Sequence, residues 1–479
     1  MIMKTMKYFM MGALLFGCSV GTMAQDGTSA DVDALKSLIK NKPADFSKQV
    51  KNYVNKNKKN VDNLMAFGRA FYEAGDSINA KDCASKALSL KKNDYAPAYI
   101  LLGDIAGINN GGEAARMYEQ AIYSDPKNPE AYRKYAIIYS KVSPEGAVAK
   151  LEELRQEVPG YPVDRLIGHI SYSQMRYATA IEAFSKVAKN DLTRMDFIEY
   201  AMANYHGRQY AKALSIVKDG LSKEPLNATM TRIAMLCSNE LKQFPEALEY
   251  ANTLFNKVNK DSVTISDMDY QNYAQAFYGN GQFEEAIAKY KEALAKAEDK
   301  SAHADIYKGI SDSYKSMKNY PQAIESYQQF LNAKADADAT DYAGLGLLQN
   351  SYARSLEGDA RIAEFAKADQ MWADLIAKYP DAEEFALLQR GRLSAQLDTE
   401  LKGTAKAHFT RLIELVNAHE TIDETDKSRL FDAYSYLMRY NLKQKDNKTA
   451  LSNAEKLLEL QPNDAEVKKA VETLKKLVK

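Results

Sequence analysis

The stretch FYGNGQFEEAIAKYKEALAK, running from Phe277 to Lys296, decides the fold. Gly279, Asn280 and Gly281 break it into two helical halves and turn the chain between them, because glycine reaches backbone conformations that other residues avoid. The second half is amphipathic yet small, with Ala286, Ala288, Ala293 and Ala295. Taking Ala286 as an anchor, Tyr290 lies four residues on and Ala293 seven on, while Phe277 lies nine before and Ala274 twelve before. The same pattern surrounds Ala323, with Tyr314, Tyr327 and Phe330. It recurs around Ala180, with Gly168, Phe184 and Val187.

Followed along the chain, the anchor falls on Ala80, Ala114, Ala147, Ala180, Ala213, Ala247, Ala286, Ala323, Ala368, Ala405 and Ala450. The first five intervals are 34, 33, 33, 33 and 34 residues, and the later ones lengthen to between 37 and 45. Proline checks this register independently. Pro126, Pro159, Pro225, Pro380 and Pro462 each lie twelve residues after an anchor, where a second helix must close. Pro97, Pro129 and Pro162 open first helices, and Pro245 and Pro321 sit in the first turn of second helices. One pair of helices cannot bury its apolar face alone, so the pairs must stack. A change such as Ala180→Glu would put a charge into a helix crossing.

The helix sequences YRKYAIIY (Tyr132–Tyr139), IYKGISDSY (Ile306–Tyr314) and AARMYEQAIYSDP (Ala114–Pro126) resemble tetratricopeptide repeats. The resemblance runs over roughly residues 61–462. It is strong to residue 330 and looser beyond, where the first helices near 341–366 and 382–404 slip in register. It implies an all-α solenoid, a right-handed superhelix of about eleven stacked antiparallel helix pairs with terminal helices.

The chain divides accordingly. A leader occupies 1–24, and a helical pair or degenerate repeat 25–60. The regular array spans 61–255, and two repeats after a longer polar connection span 256–333. Looser repeats fill 334–463, and a terminal cap covers 464–479. Ala333–Asp341 reads as a linker of low apolar content. In the cap, Val467, Ala470, Val471, Leu474 and Leu477 share a face opposite lysines.

The leader carries Lys4 and Lys7, an apolar run from Tyr8 to Phe16 too short to span a bilayer, and the small residues Thr22 and Ala24. Cleavage after Ala24 leaves Gln25 first and an exported, periplasmic chain. The competing route is a lipid on Cys18 of LFGC, which would place the protein at the outer membrane. Cleavage changes 64 basic and 64 acidic residues to 62 − 64 = −2, a balance with no bulk pull toward nucleic acid. After it, Cys83 and Cys237 are the only cysteines. Stacked helices sit about 8–10 Å apart, beyond the Cα separation of about 7 Å that a disulfide tolerates, so both read as buried thiols.

No motif for catalysis, cofactor or metal stands out. There is no phosphate loop ending in Lys-Ser/Thr, no G-x-S-x-G, no H-E-x-x-H and no paired cysteine spacing. GLGLLQ (Gly344–Gln349) lacks a third glycine. His408 and His419, eleven apart, could share a helix face as packed or surface residues, and Glu284-Glu285 and Glu383-Glu384 suit helix N-termini. The expectation is a protein that is not an enzyme and takes no cofactor.

The resemblance implies that first helices line a groove that grips a partner's side chains. The positions it marks are Met65, Arg69, Tyr72, Arg133, Ile137, Arg165, His169, Tyr172, Met202, Tyr205, Tyr278, Lys308 and Lys315. Tyrosine offers a large rigid surface with a polar tip, and arginine forks onto carboxylates. The plainer reading of the tyrosines is that each pads the next first helix. The Lys and Asn set of the family's carboxylate clamp is not found. These readings give a non-catalytic scaffold or adaptor of the bacterial cell envelope that binds a protein or peptide. It would have no nucleic-acid partner, and a membrane association only if Cys18 is lipidated. The alternative is an outer-membrane lipoprotein that captures glycans on exposed aromatics. The single tryptophan, Trp372, and the lack of long irregular insertions weigh against it.

Overall fold

The structure is a computed structural model that describes residues 30–259 and 263–478. The leader, its cleavage point and Cys18 lie outside the described residues. Those residues form α-helices joined by turns, with no strand and no helix long and apolar enough to cross a membrane.

The chain folds as two compact units, the first ending at Gly207 and the second starting at Arg208. The division falls inside the stretch expected to be one regular array. Unit 1 opens with α1 (Ala30–Asn41) and α2 (Phe46–Lys56). The pairs α3 (Val61–Glu73) and α4 (Ser77–Leu90), α5 (Ala96–Gly107) and α6 (Gly111–Ser124), and α7 (Pro129–Tyr139) and α8 (Pro144–Glu157) follow. Then come α9 (Val163–Ser173), α10 (Tyr177–Ser185) and α11 (Arg194–His206). Unit 2 opens with α12 (Tyr210–Lys223). Its pairs are α13 (Ala228–Glu240) and α14 (Phe244–Asn256), α15 (Asp267–Gly279) and α16 (Phe283–Lys296), and α17 (Lys300–Ser316) and α18 (Tyr320–Ala333). They continue with α19 (Ala339–Arg354) and α20 (Gly358–Lys378), α21 (Glu383–Leu397) and α22 (Lys406–Val416), and α23 (Glu424–Lys443) and α24 (Asn447–Leu460). The helix α25 (Ala465–Val478) closes the unit.

All eleven anchor alanines have 0% of their surface exposed. Nine are the fourth residue of their second helix, where a larger side chain would hold the paired helices apart. The five closing prolines each stand two residues past the end of a second helix, as with Ser124 and Pro126 or Leu460 and Pro462. First helices carry glycine where a large ring crosses them. A Cβ on Gly168 would lie 2.8 Å from the Phe184 ring, and one on Gly391 2.6 Å from the Phe409 ring.

In seven of the eleven pairs the turn is fixed by one left-handed residue five before the anchor. Gly75 (φ 78°), Met175 (57°), Arg208 (57°), Lys242 (58°), Gly281 (79°), Lys318 (59°) and Lys445 (64°) all occupy it. Gly281 turns the chain as expected, but Gly279 does not. It ends α15 in helical conformation, and a Cβ there would lie 2.3 Å from the Phe244 ring, so its role is to admit a neighbour.

Other expectations are corrected. Ala339–Asp341 belong to α19 and not to a linker. The Asp338 carboxylate accepts the N–H groups of Thr340 and Asp341, and Asp341 returns a bond to the Asp338 N–H, a reciprocal cap that starts the helix. Near Ala368 and Ala405 the helix ends shift. α20 begins ten residues before Ala368, whereas Ala405 precedes α22 altogether. In place of the missing turn, the backbone N–H groups of Lys402, Gly403 and Thr404 donate to the buried Asp398 carboxylate, as does the Tyr436 hydroxyl. Burial works against that charge, but these four donors hold the carboxyl below its usual range. The connection after α14 is not simply polar, since Val258 is 5% exposed and packs with Leu254, Val263 and Ile265. His408 and His419 share no helix face, because α22 ends at Val416. In α25, Val467, Val471 and Leu474 are buried, but Leu477 is exposed.

Two substitutions test this account by equilibrium denaturation. Gly168→Ala should destabilise by about 1–2 kcal/mol, because overpacking against Phe184 outweighs the helix propensity gained. Met175→Gly should stabilise by about 0.5–1 kcal/mol by relieving a left-handed backbone. If Met175→Gly destabilises instead, this account of the turn fails.

Candidate functional site

The first helices of each unit carry polar groups and half-buried tyrosines on the side not taken up by the anchor contacts. Tyr72, Tyr172, Tyr205 and Tyr278 each stand three residues before the left-handed turn residue, and all four are half-buried. Three of them lean toward the following first helix. Burial and the Asp104 charge on α5 push the Tyr72 phenol up. Burial and the Glu199 charge on α11 push Tyr172 far up. The Tyr278 hydroxyl lies 3.3 Å from Ser316 Oγ on α17. Each ring therefore pads its neighbour while keeping part of its surface in solvent. Tyr205 packs edge-on against His206, with 5.9 Å between ring centroids.

In unit 1, Asp104 accepts the Tyr118 hydroxyl at 2.7 Å and the Lys134 ammonium at 2.5 Å. The Tyr118 phenol is pushed far up, first by burial and then by the Asp104 carboxylate, with Tyr72 and the Arg133 guanidinium also acting on it. Tyr72, Asp104, Tyr118 and Arg133 thus meet on one face. Arg69 stands one turn from Tyr72 and is exposed, whereas Ile137 is half-buried on α7. Met65 corrects an expectation. It is 6% exposed, because the leading pair α1–α2 packs into the same core.

Arg165 and His169 are engaged with the next first helix. Arg165 Nε donates to Asp196 Oδ2 at 2.9 Å. His169 places Nε2 2.7 Å from Asp196 Oδ1 and Nδ1 2.5 Å from Glu199 Oε2. Carboxylates on both ring nitrogens require the doubly protonated ring. Burial alone would lower its pKa, but the bonds to Asp196 and Glu199 outweigh it and raise the value to about 9. Burial likewise opposes the Asp196 charge, yet His169 and the Thr193 N–H and hydroxyl bring that carboxyl down to about 2. Met202 is half-buried on α11.

Asp196 belongs to a recurring device. Asp196, Asp269, Asp341 and Asp426 each close a reciprocal cap at the start of α11, α15, α19 and α23. Each is also paired to a cation. Arg232 reaches Asp269 from α13 with two bonds of 2.7 and 2.9 Å. Lys334 reaches Asp341 at 2.6 Å, and His419 and Arg429 hold Asp426 at 2.9 and 3.0 Å. Sequence reading missed this device, although its signal is a short one, Ser/Thr/Asp followed by Asp three residues on.

Glu384, His419 and Asp426 form the one group among the described residues with donor atoms close enough to hold a metal ion. Arg429 Nη1 already lies 2.8 Å from Glu384 and 3.0 Å from Asp426, so a cation closes the set. The arrangement repeats that of Arg165 and His169 at Asp196. In unit 2, Lys308 is bonded to Asp312 within its own helix and lies 5.4 Å from the Tyr327 ring centroid, while Lys315 is exposed. Trp372 is 1% exposed and donates its indole N–H to Asn350, so it offers no stacking surface. Cys83 and Cys237 are unbridged and buried, and burial pushes each thiol up to about 12.

The pH dependence of His169 follows in sign. Its folded pKa lies above the ordinary 6.5, so its stabilisation is complete below that value and fades as pH rises through about 9. His169→Gln should therefore cost about 2–3 kcal/mol near neutral pH, with the difference from wild type shrinking in alkaline buffer. A pH-independent difference in thermal unfolding would contradict the assignment. Arg232→Ala, which strands the buried Asp269, should cost about 2–4 kcal/mol.

The family model described as tetratricopeptide repeat matches residues 273–342. No curated protein matches the chain. Among solved structures, the C-terminal part of a TPR repeat-containing protein from Cytophaga hutchinsonii is 22% identical over 57% of this chain and 99% of that one, with a TM-score of 0.48. A tetratricopeptide repeat protein from Parabacteroides merdae is 15% identical over 60% of this chain and 98% of that one, with a TM-score of 0.28. The described chain is an all-α solenoid, and the segment that holds Phe277–Lys296 matches the tetratricopeptide-repeat model.

Proposed function

We propose that the protein is a non-catalytic scaffold that binds a protein segment along the exposed face of its first helices. Tetratricopeptide repeats generally mediate protein–protein interactions, and a repeat frame varies its face without changing its core. The observation that carries the reading is the recurrence of half-buried tyrosines at one register position, Tyr72, Tyr172 and Tyr205 in the first unit and Tyr278 in the second. Tyr72, Tyr172 and Tyr278 lean on the next first helix, and all four keep solvent-facing surface, the state in which an aromatic gives contact area at low entropic cost. The site of action in this reading is the cell envelope. The leader is cleaved after Ala24, or Cys18 is lipidated, and the mass of the mature N-terminus distinguishes the two.

Photocrosslinking inside the cell envelope tests the binding face. A photoreactive residue placed at Tyr72, Tyr205 or Tyr278 should crosslink to a partner. The same residue at Lys81 or Lys291, exposed on second helices, should not. Equal crosslinking from both sets would refute the reading.

A further inference from the structure

The charges on the first-helix face of unit 1 fall into two classes. Arg165, His169 and Glu199 are tied together through Asp196, and Lys134 is tied to Asp104. Arg69 on α3 and Arg133 on α7 are different, for among the described residues neither has a carboxylate at ion-pair distance. Asp104, the one acid of α5, the helix between α3 and α7, is already used by Tyr118 and Lys134. The acids left on α3 are Asp62 and Glu73, near its two ends and both exposed. Asp62 and Arg69 both act on the Tyr95 phenol without pairing with each other.

A guanidinium that folding leaves unpaired is matched by a carboxylate, which it grips through two parallel N–H bonds. About one turn further along its own helix each arginine has a half-buried neighbour, Tyr72 on α3 and Ile137 on α7, which suit an apolar side chain of a ligand. One first helix, α5, separates α3 from α7. At about 8–10 Å per stacked helix the arginines stand roughly 16–20 Å apart. An extended chain covers that span in about five or six residues.

We infer that this face takes an extended acidic segment of a partner protein, with two carboxylate side chains about six residues apart seated on Arg69 and Arg133. The inference rests on the first-helix face being the binding surface. The probe is a fluorescein-labelled peptide of about twelve residues with two glutamates at that spacing and leucine between them, measured by anisotropy against the full chain. Its twin carries glutamine in place of glutamate. The acidic peptide should bind at least about tenfold more tightly than the twin, a preference that salt should weaken. The double variant Arg69→Ala/Arg133→Ala should lose that preference while keeping its thermal unfolding midpoint. Equal binding of both peptides, binding of neither, or a preference that survives in the double variant would overturn the inference. If both peptides bind equally and Tyr72→Ala weakens both, the binding face stands and only its acidic specificity falls. Crosslinks from Lys81 equal to those from Tyr72 would remove the surface itself.

Discussion

Closest approach between paired helices is the constraint on which the rest depends. An alanine with no exposed surface at the fourth position of a second helix lets the first helix lie against its backbone. That approach opens space on either side for the large residues. Phe184 crosses Gly168, and Phe409 crosses Gly391. Small and large residues are thus two halves of one packing rule, and enlarging the small one displaces the ring that stabilises the pair. The left-handed residue five before seven of the anchors follows from the same rule. The chain must reverse within a few residues to bring the alanine under its partner, and a positive φ does this in one step.

The second constraint acts between successive pairs. Four first helices begin with an aspartate that bonds back to its own cap and to a cation from elsewhere in the fold. A carboxylate that is nearly or fully buried costs several kcal/mol unless it is paired and hydrogen-bonded. At Asp196 the required cations are Arg165 and His169, both from the preceding first helix. Ion pairing here fixes the register of one pair on the next, a geometric task that apolar contacts alone leave loose.

The periodic part of this structure was legible in the sequence because it depends on local spacing. The alanine anchors, the closing prolines and the turn at Gly281 are each set by residues within about one repeat of one another. Three features were not legible, for different reasons. Gly279 and Gly281 look alike in sequence, and only the position of Phe244, a repeat away, shows that Gly279 yields space while Gly281 bends the chain. Ala405 keeps its burial though its helix starts late, because the Asp398 carboxylate binds the N–H groups that a helical turn would have used. On the binding face, Met65, Arg165 and His169 carry the expected residue types. Yet Met65 is covered by a helical pair outside the regular register, and the partners of the other two lie about thirty residues on.

That last difference separates structural charge from available charge. Residue type and register place a side chain on the first-helix face, but they do not say whether folding has already used it. Lys134 and His169 stand on that face like Arg133 and Arg69, and only tracing each cation to its carboxylate tells them apart. A cation bound to a buried aspartate cannot move to a ligand without stranding the acid, a cost of about 3–5 kcal/mol that few single contacts repay. A guanidinium without a carboxylate partner strands no acid when it turns to a ligand. The groups free to recognise a partner are therefore those that the repeat frame does not need, and on unit 1 this singles out Arg69 and Arg133.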